Sequence, residues 1–175
     1  AGLVGQLRGS LALTRMMMNS VELYRTLEAE VGLETGWREV GSLRLASSPE
    51  RLEEITRQAG WAKTFGLPLE LVSADDAKEL FPPMTTDGVL GAAFLPTDGY
   101  IDPSQLTFAL AEGARRRGAE VSTNTRVTAI RTERGRVNGV ETDRGTIETD
   151  IVVNAGGMFA GEIGALAGVT VPVVP

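Results

Sequence analysis

From about Leu11 to Val31, apolar side chains recur as Met17, Val21, Tyr24, Leu27 and Val31, while Arg25, Glu28 and Glu30 fall on the other side. That period is one face of an α-helix, so the spacing predicts an amphipathic helix ended by Gly32 and Gly36. The pattern then becomes alternation: across Val40-Gly41-Ser42-Leu43-Arg44-Leu45-Ala46, Leu43 and Leu45 share one side and Ser42 and Arg44 the other. A period of two predicts a strand with its leucines toward the core and Arg44 pointing away from it. Ser48-Pro49 supplies a capping oxygen and a first-turn proline for a second helix, with Leu52, Ile55, Ala59 and Ala62 on one side, stopped near Phe65 by Gly66. A short helix is predicted from Ser73, with Asp75 and Asp76 in its favourable first turn and Phe81-Pro82-Pro83 closing it; a strand follows from Val89 to Leu95.

Asp102-Pro103-Ser104-Gln105 combines a cap, a proline and a glutamine three residues after the cap, and predicts a helix with a capping box running to Arg117 and ending at Gly118. Short strands are expected near Glu120–Ser122, Val127–Thr132, Val137–Thr142 and Thr146–Glu148, with turns at Arg134-Gly135 and Arg144-Gly145. Ile151-Val152-Val153 is apolar on both faces, as suits a central parallel strand covered on two sides. It breaks on Asn154-Ala155-Gly156-Gly157 and restarts as a helical stretch from Met158 to Ala167. A strand, glycine turn and helix in succession expose backbone N–H groups at a helix N-terminus, a candidate ligand edge. The alternative is that the glycines only let the helix pack closely on its sheet.

Over 175 residues, 42% apolar and 23% charged content is ordinary for a globular chain with a core. The formal charge of −6 argues against a nucleic-acid groove, and Arg115-Arg116-Arg117 lies where a helix should end, which suits its dipole. There is no cysteine and no histidine, so disulfides, thiolate nucleophiles, Cys/His zinc sites and Ser-His-Asp triads are excluded within these residues. The carboxylate pairs Asp75-Asp76 and Asp98 with Asp102 are explained by caps and turns, and no metal site is expected. Met16-Met17-Met18, Trp37 and Trp61 are read as packing residues. With neither a signal-like segment nor a bilayer-spanning run, a cytoplasmic protein without membrane partners is expected.

Three stretches in unbroken order, Gly-Trp-Arg-Glu-Val-Gly-Ser-Leu-Arg-Leu-Ala (36–46), Asp-Gly-Tyr-Ile-Asp-Pro-Ser-Gln-Leu (98–106) and Val-Asn-Ala-Gly-Gly-Met-Phe-Ala (153–160), resemble the FAD-dependent amine oxidoreductases of the D-amino-acid-oxidase superfamily. The likeness is greatest to the dimethylglycine and sarcosine dehydrogenase branch. It implies an α/β fold with an α+β part: a partial FAD-binding, doubly wound domain and an antiparallel-sheet substrate domain, with residues 1–101 mainly of the substrate-domain kind and 102–175 part of the FAD-binding domain. No G-x-G occurs in the sequence. The opening residues resemble the segment that follows that turn in the family, so we expect an internal piece of a longer enzyme that does not retain flavin alone. Covalent flavin attachment through histidine cannot occur on these residues.

The resemblance implies a parent that takes FAD and oxidises the C–N unit of a small N-methylated amino acid, with the electron acceptor unspecified. Position by position it places Ala1, Gly2 and Leu3 near the flavin ring, Val127 near the adenine end, and Asn154, Ala155, Gly156 and Gly157 along the cofactor. It places Ser42, Arg44 and Phe94 on the sheet that roofs the substrate cavity. Arg8 is the basic residue near the expected active site that can pair with a substrate carboxylate; the alternative is an ordinary solvated side chain. No general base is assigned. Two other functions stay open: a non-catalytic binding or interaction domain that keeps the fold, and a self-contained nucleotide binder using Asn154–Gly157. An unpaired apolar edge at Ile151–Val153 is expected to drive self-association.

Overall fold

The computed structural model describes residues 2–173, which form two compact units that divide between Glu120 and Val121. In chain order the first holds β1 (Leu3–Val4), α1 (Leu11–Val31), β2 (Arg38–Glu39), β3 (Ser42–Ala46), α2 (Pro49–Phe65), β4 (Glu70–Val72), α3 (Ala74–Leu80), β5 (Gly91–Leu95), β6 (Gly99–Tyr100) and α4 (Pro103–Arg116). Local chemistry sets the helix ends. The Ser10 and Ser48 hydroxyls accept the backbone N–H of Leu13 and Arg51, and Gly32 and Gly66 close α1 and α2 in the left-handed conformation. Asp102 accepts the N–H groups of Ser104 and Gln105 at 2.8 and 2.9 Å. The capping box expected with Gln105 does not form there, because the Asp102 N–H is already donated to the Thr35 carbonyl. The box forms instead at Ser73 and Asp76.

Two antiparallel sheets position the rest: β1-β6-β2 and β3-β5-β4. In the second, Leu43 faces Phe94, Arg44 faces Ala93 and Ala46 faces Gly91. α2 packs on the Arg44–Ala46 side through Ile55 against Ala46 and Ala93, and Leu95 joins Leu7, Ala62 and Leu67 on that same side. The expected facing of β3 is therefore inverted. Arg44 lies on the helix-covered side and Leu43 and Leu45 on the open side, since the small residues Ala46, Ala93 and Gly91 let α2 sit close while leucines would hold it off. Leu45 remains 38% exposed.

α4 packs on α1 through Leu27, Val31 and Ala109, and the compact units divide after Glu120. The arginine run serves that contact: Arg116 donates to the Glu30 carbonyl and pairs with Glu112, and Arg117 pairs with Glu30. Tyr24 and Trp37 meet at 5.8 Å between ring centroids over Val4, Val21 and Ile101. Trp61 is half-exposed, less a packing anchor than expected.

The second unit holds a meander, β7 (Val127–Glu133), β8 (Arg136–Thr142) and β9 (Gly145–Ile147), then a 3₁₀ turn (Gly157–Phe159) and α5 (Ala160–Ala165). The predicted strands at Glu120–Ser122 and Ile151–Val153 are not formed among the described residues. A parallel strand needs a neighbour returning from elsewhere in the chain, and this unit supplies only a hairpin meander. Ile151 and Val153 are accordingly 73% and 84% exposed. No helix among the described residues is long and apolar enough to cross a membrane.

Candidate functional site

The open side of β3–β5 carries a cleft of about 470 Å³, lined by Val40, Gly41, Leu43, Leu80, Phe81 and Phe94 among others. Gly41 builds its wall. Its φ is +80°, and a Cβ there would lie 2.3 Å from Cε2 of Phe94, so the ring comes against a residue that must have no side chain. A second cleft of about 440 Å³ shares Val40–Leu43 with the first and adds Leu3, Gly5, Arg44, Asp98 and Tyr100. A third, about 220 Å³, is lined by Leu7, Arg8, Gly9, Arg44, Gln58 and Trp61.

Ser42, Arg44 and Phe94, expected to share one roof, do not share one face. Phe94 projects on the open side, and Arg44 on the α2 side, where its Nη1 donates to Gln58 Oε1 at 3.1 Å. The one-residue offset between Leu43 and Arg44 decides this, because adjacent strand residues point to opposite faces. Ser42 donates to Asp98 Oδ2 at 2.7 Å. Arg8 and Arg44 border one small cleft, and neither pairs with a carboxylate among the described residues; the Arg8 guanidinium donates to the carbonyl of the preceding Leu7. A guanidinium with unfilled donors in a cleft is suited to a carboxylate guest.

Sequence reasoning missed the group underneath. Asp98 is fully buried and accepts from the Gln6 backbone N–H at 2.8 Å, the Gln6 side chain at 3.2 Å and Ser42. Asp98-Gly99 reads as a turn, and only a polar residue so near the apolar β5 pointed to burial. Gln6, Thr14 and Thr35 are buried polar residues of the same kind, with no sequence signal that distinguished them. No cluster of potential metal ligands exists among the described residues.

Of the residues expected near a cofactor, Ala1 lies outside the described residues. Gly2 is small for packing: a Cβ would sit 1.8 Å from the Ile101 carbonyl oxygen. Leu3 is 84% exposed. In the second unit, Val127 is exposed at the start of β7. Asn154 turns back on its own chain, accepting the Gly156 N–H at 3.1 Å and donating to the Ala160 carbonyl at 2.9 Å, an Asx turn that opens the 3₁₀ segment. A Cβ at Gly156 would meet Ile163 Cδ1 at 2.5 Å, so that glycine permits α5 to pack. Gly157 has φ +55° with open space around it, and Ala155 is exposed.

The whole chain, residues 1–175, matches the FAD-dependent oxidoreductase (DAO) family. The chain belongs to that family. It is 40% identical to human mitochondrial sarcosine dehydrogenase over 99% of this chain and 20% of the relative. It is 35% identical to human mitochondrial dimethylglycine dehydrogenase over 100% of this chain and 20% of the relative. The chain thus spans about a fifth of the length of these curated relatives. Among solved structures, L-proline dehydrogenase from P. horikoshii superposes with a TM-score of 0.90 at 33% identity, covering 96% of this chain and 44% of that one. The α/β mix and the resemblance to flavin-dependent amine oxidoreductases expected from the sequence are thereby established.

The residues present fit FAD in part. In the second unit, exposed Ala155 and Gly157 leave backbone open to a ligand, whereas Asn154 and Gly156 are spent on their own helix start.

Proposed function

We propose that this chain is part of an FAD-dependent oxidoreductase acting on the C–N unit of a small N-methylated amino acid, and that Arg8 binds the substrate carboxylate. The observation that carries the second half is the Arg8 guanidinium, which reaches a cleft bordered by Arg44 and has no carboxylate partner among the described residues. The relatives' names, sarcosine and dimethylglycine dehydrogenase, support the substrate class. In the second unit, Ala155 and Gly157 are the described residues that would lie against FAD, which when bound accepts hydride from the substrate C–N unit. The chain's own part is to orient the substrate. Arg8 would take the carboxylate in the cleft it borders with Arg44. A cytoplasmic location belongs to the same proposal, although the relatives named above are mitochondrial.

The test is the full-length enzyme containing this chain, assayed for flavin reduction by sarcosine and by dimethylglycine. Arg8→Ala should raise KM for either by about ten- to a hundredfold, since losing a charge-assisted pair costs roughly 1.5–3 kcal/mol, with flavin content intact. An unchanged KM would return Arg8 to the role of a solvated side chain. Failure of both compounds to reduce the flavin would reject the substrate class.

A further inference from the structure

We propose that Asp98 is a positioning residue that sets Arg8 in place. This rests on the reading of Arg8 as the carboxylate anchor. Asp98 is fully buried, yet it has no cationic partner among the described residues; its oxygens take the Gln6 N–H at 2.8 Å, the Gln6 amide at 3.2 Å and the Ser42 hydroxyl at 2.7 Å. A buried carboxylate held by neutral donors alone is a costly arrangement, and its three bonds join segments distant in sequence: Gln6, the start of β3 and the β5–β6 turn. Gln6 also donates to Thr97, so the clamp grips it twice.

Two residues beyond Gln6, Arg8 is gripped from the other side. Its N–H donates to the fully buried Thr14 hydroxyl at 3.1 Å, and that hydroxyl is within bonding distance of the Arg8 carbonyl at 3.3 Å. Leu7 between them is buried in the core. The backbone from Gln6 to Arg8 is therefore held at both ends, while among the described residues the guanidinium donates to the Leu7 carbonyl alone. Gly5 keeps a gap between the two groups: a Cβ there would lie 3.4 Å from Arg8 Nη1 and 3.6 Å from Asp98 Oδ2. Asp98 is thus near enough to orient the loop that carries Arg8, but makes no ion pair that would occupy the guanidinium. Preorganisation of this kind lowers the ordering cost of binding, so its loss should appear mainly in KM.

In the full-length enzyme, Asp98→Asn should raise KM for sarcosine at least tenfold while kcat falls less than threefold and flavin content is retained. An amine substrate without a carboxylate should show no such rise. A residue that served stability alone would instead lower the flavin-loaded fraction and kcat together, leave KM unmoved, and so overturn the proposal. Where Asp98→Asn lowers the folded fraction, Gln6→Met cuts the side-chain arm and leaves the carboxylate; KM should rise three- to tenfold, and an unchanged KM overturns the proposal. If the wild-type enzyme oxidises no N-methylated amino acid, the functional reading has failed and the positioning claim is decided by amide hydrogen exchange. Asp98→Asn should then expose both the Gln6 and the Arg8 N–H to exchange, and retained protection at Arg8 overturns it.

Discussion

Gly41→Ala would test whether the cleft on the open side of β3–β5 is shaped by contact between Gly41 and the Phe94 ring. Two costs add at this position. The φ of +80° lies in the left-handed region, where an L-residue pays about 1–2 kcal/mol. The new Cβ would also stand 2.3 Å from Cε2 and 2.6 Å from Cζ of Phe94, so the ring must move, an overpacking cost of roughly 1–3 kcal/mol. Together the variant should lose about 2–5 kcal/mol. Phe94→Ala, at a half-buried ring, removes the obstacle; in that background Gly41→Ala should cost only the backbone part, about 1–2 kcal/mol. The double-mutant cycle therefore predicts a coupling of about 1–3 kcal/mol. Urea unfolding followed by tryptophan fluorescence measures it in the relevant unit, because both tryptophans, Trp37 and Trp61, lie within Ala1–Glu120. Additive single and double variants, within a few tenths of a kcal/mol, would refute the claim that the ring rests on Gly41.

Ile55→Ala should destabilise the first unit by about 2–5 kcal/mol in the same assay, since Ile55 is fully buried between α2 and the small residues of β3 and β5. Gly156→Val should destabilise the second unit by roughly 1–3 kcal/mol, and Ile163→Ala in the same chain should recover part of the loss; thermal unfolding with no such recovery would remove Ile163 as the reason for the glycine. The Asp76 carboxyl is held below its ordinary range by hydrogen bonds from the Ser73 side chain and backbone. Because its folded pKa is depressed, the cap is fully present above the ordinary carboxylate pKa and is lost as pH falls through the lowered one; Ser73→Ala should move the Asp76 carbon-13 titration upward, and an unmoved titration would contradict the cap. Replacing Ile151 and Val153 by lysine should reduce self-association of the 175-residue chain in light scattering, given their exposure and lack of a ladder partner; unchanged scattering would place any association elsewhere.

The helices were legible in the sequence because their signals are local. Ser10, Ser48, Ser73 and Asp102 open them, and Gly32 and Gly66 close them, within one or two residues of the expected ends. The hairpin meander of β7–β9 followed from its turn residues in the same way. The DAO family was legible too, because ordered matches along the whole chain carry more information than any single turn. Facing and pairing were not. Alternation in β3 marks two faces but does not say which one a helix will cover; Ala46, Ala93 and Gly91 settled that only once β5 lay beside β3. The apolar run at Ile151–Val153 specifies a segment fit for burial, while forming a strand requires a partner that these residues do not contain. Asp98 shows the same division. Its identity as a turn residue is a local property, but its burial and its hold on Gln6 and Ser42 arise from contacts 92 and 56 residues apart, which only the folded chain brings together.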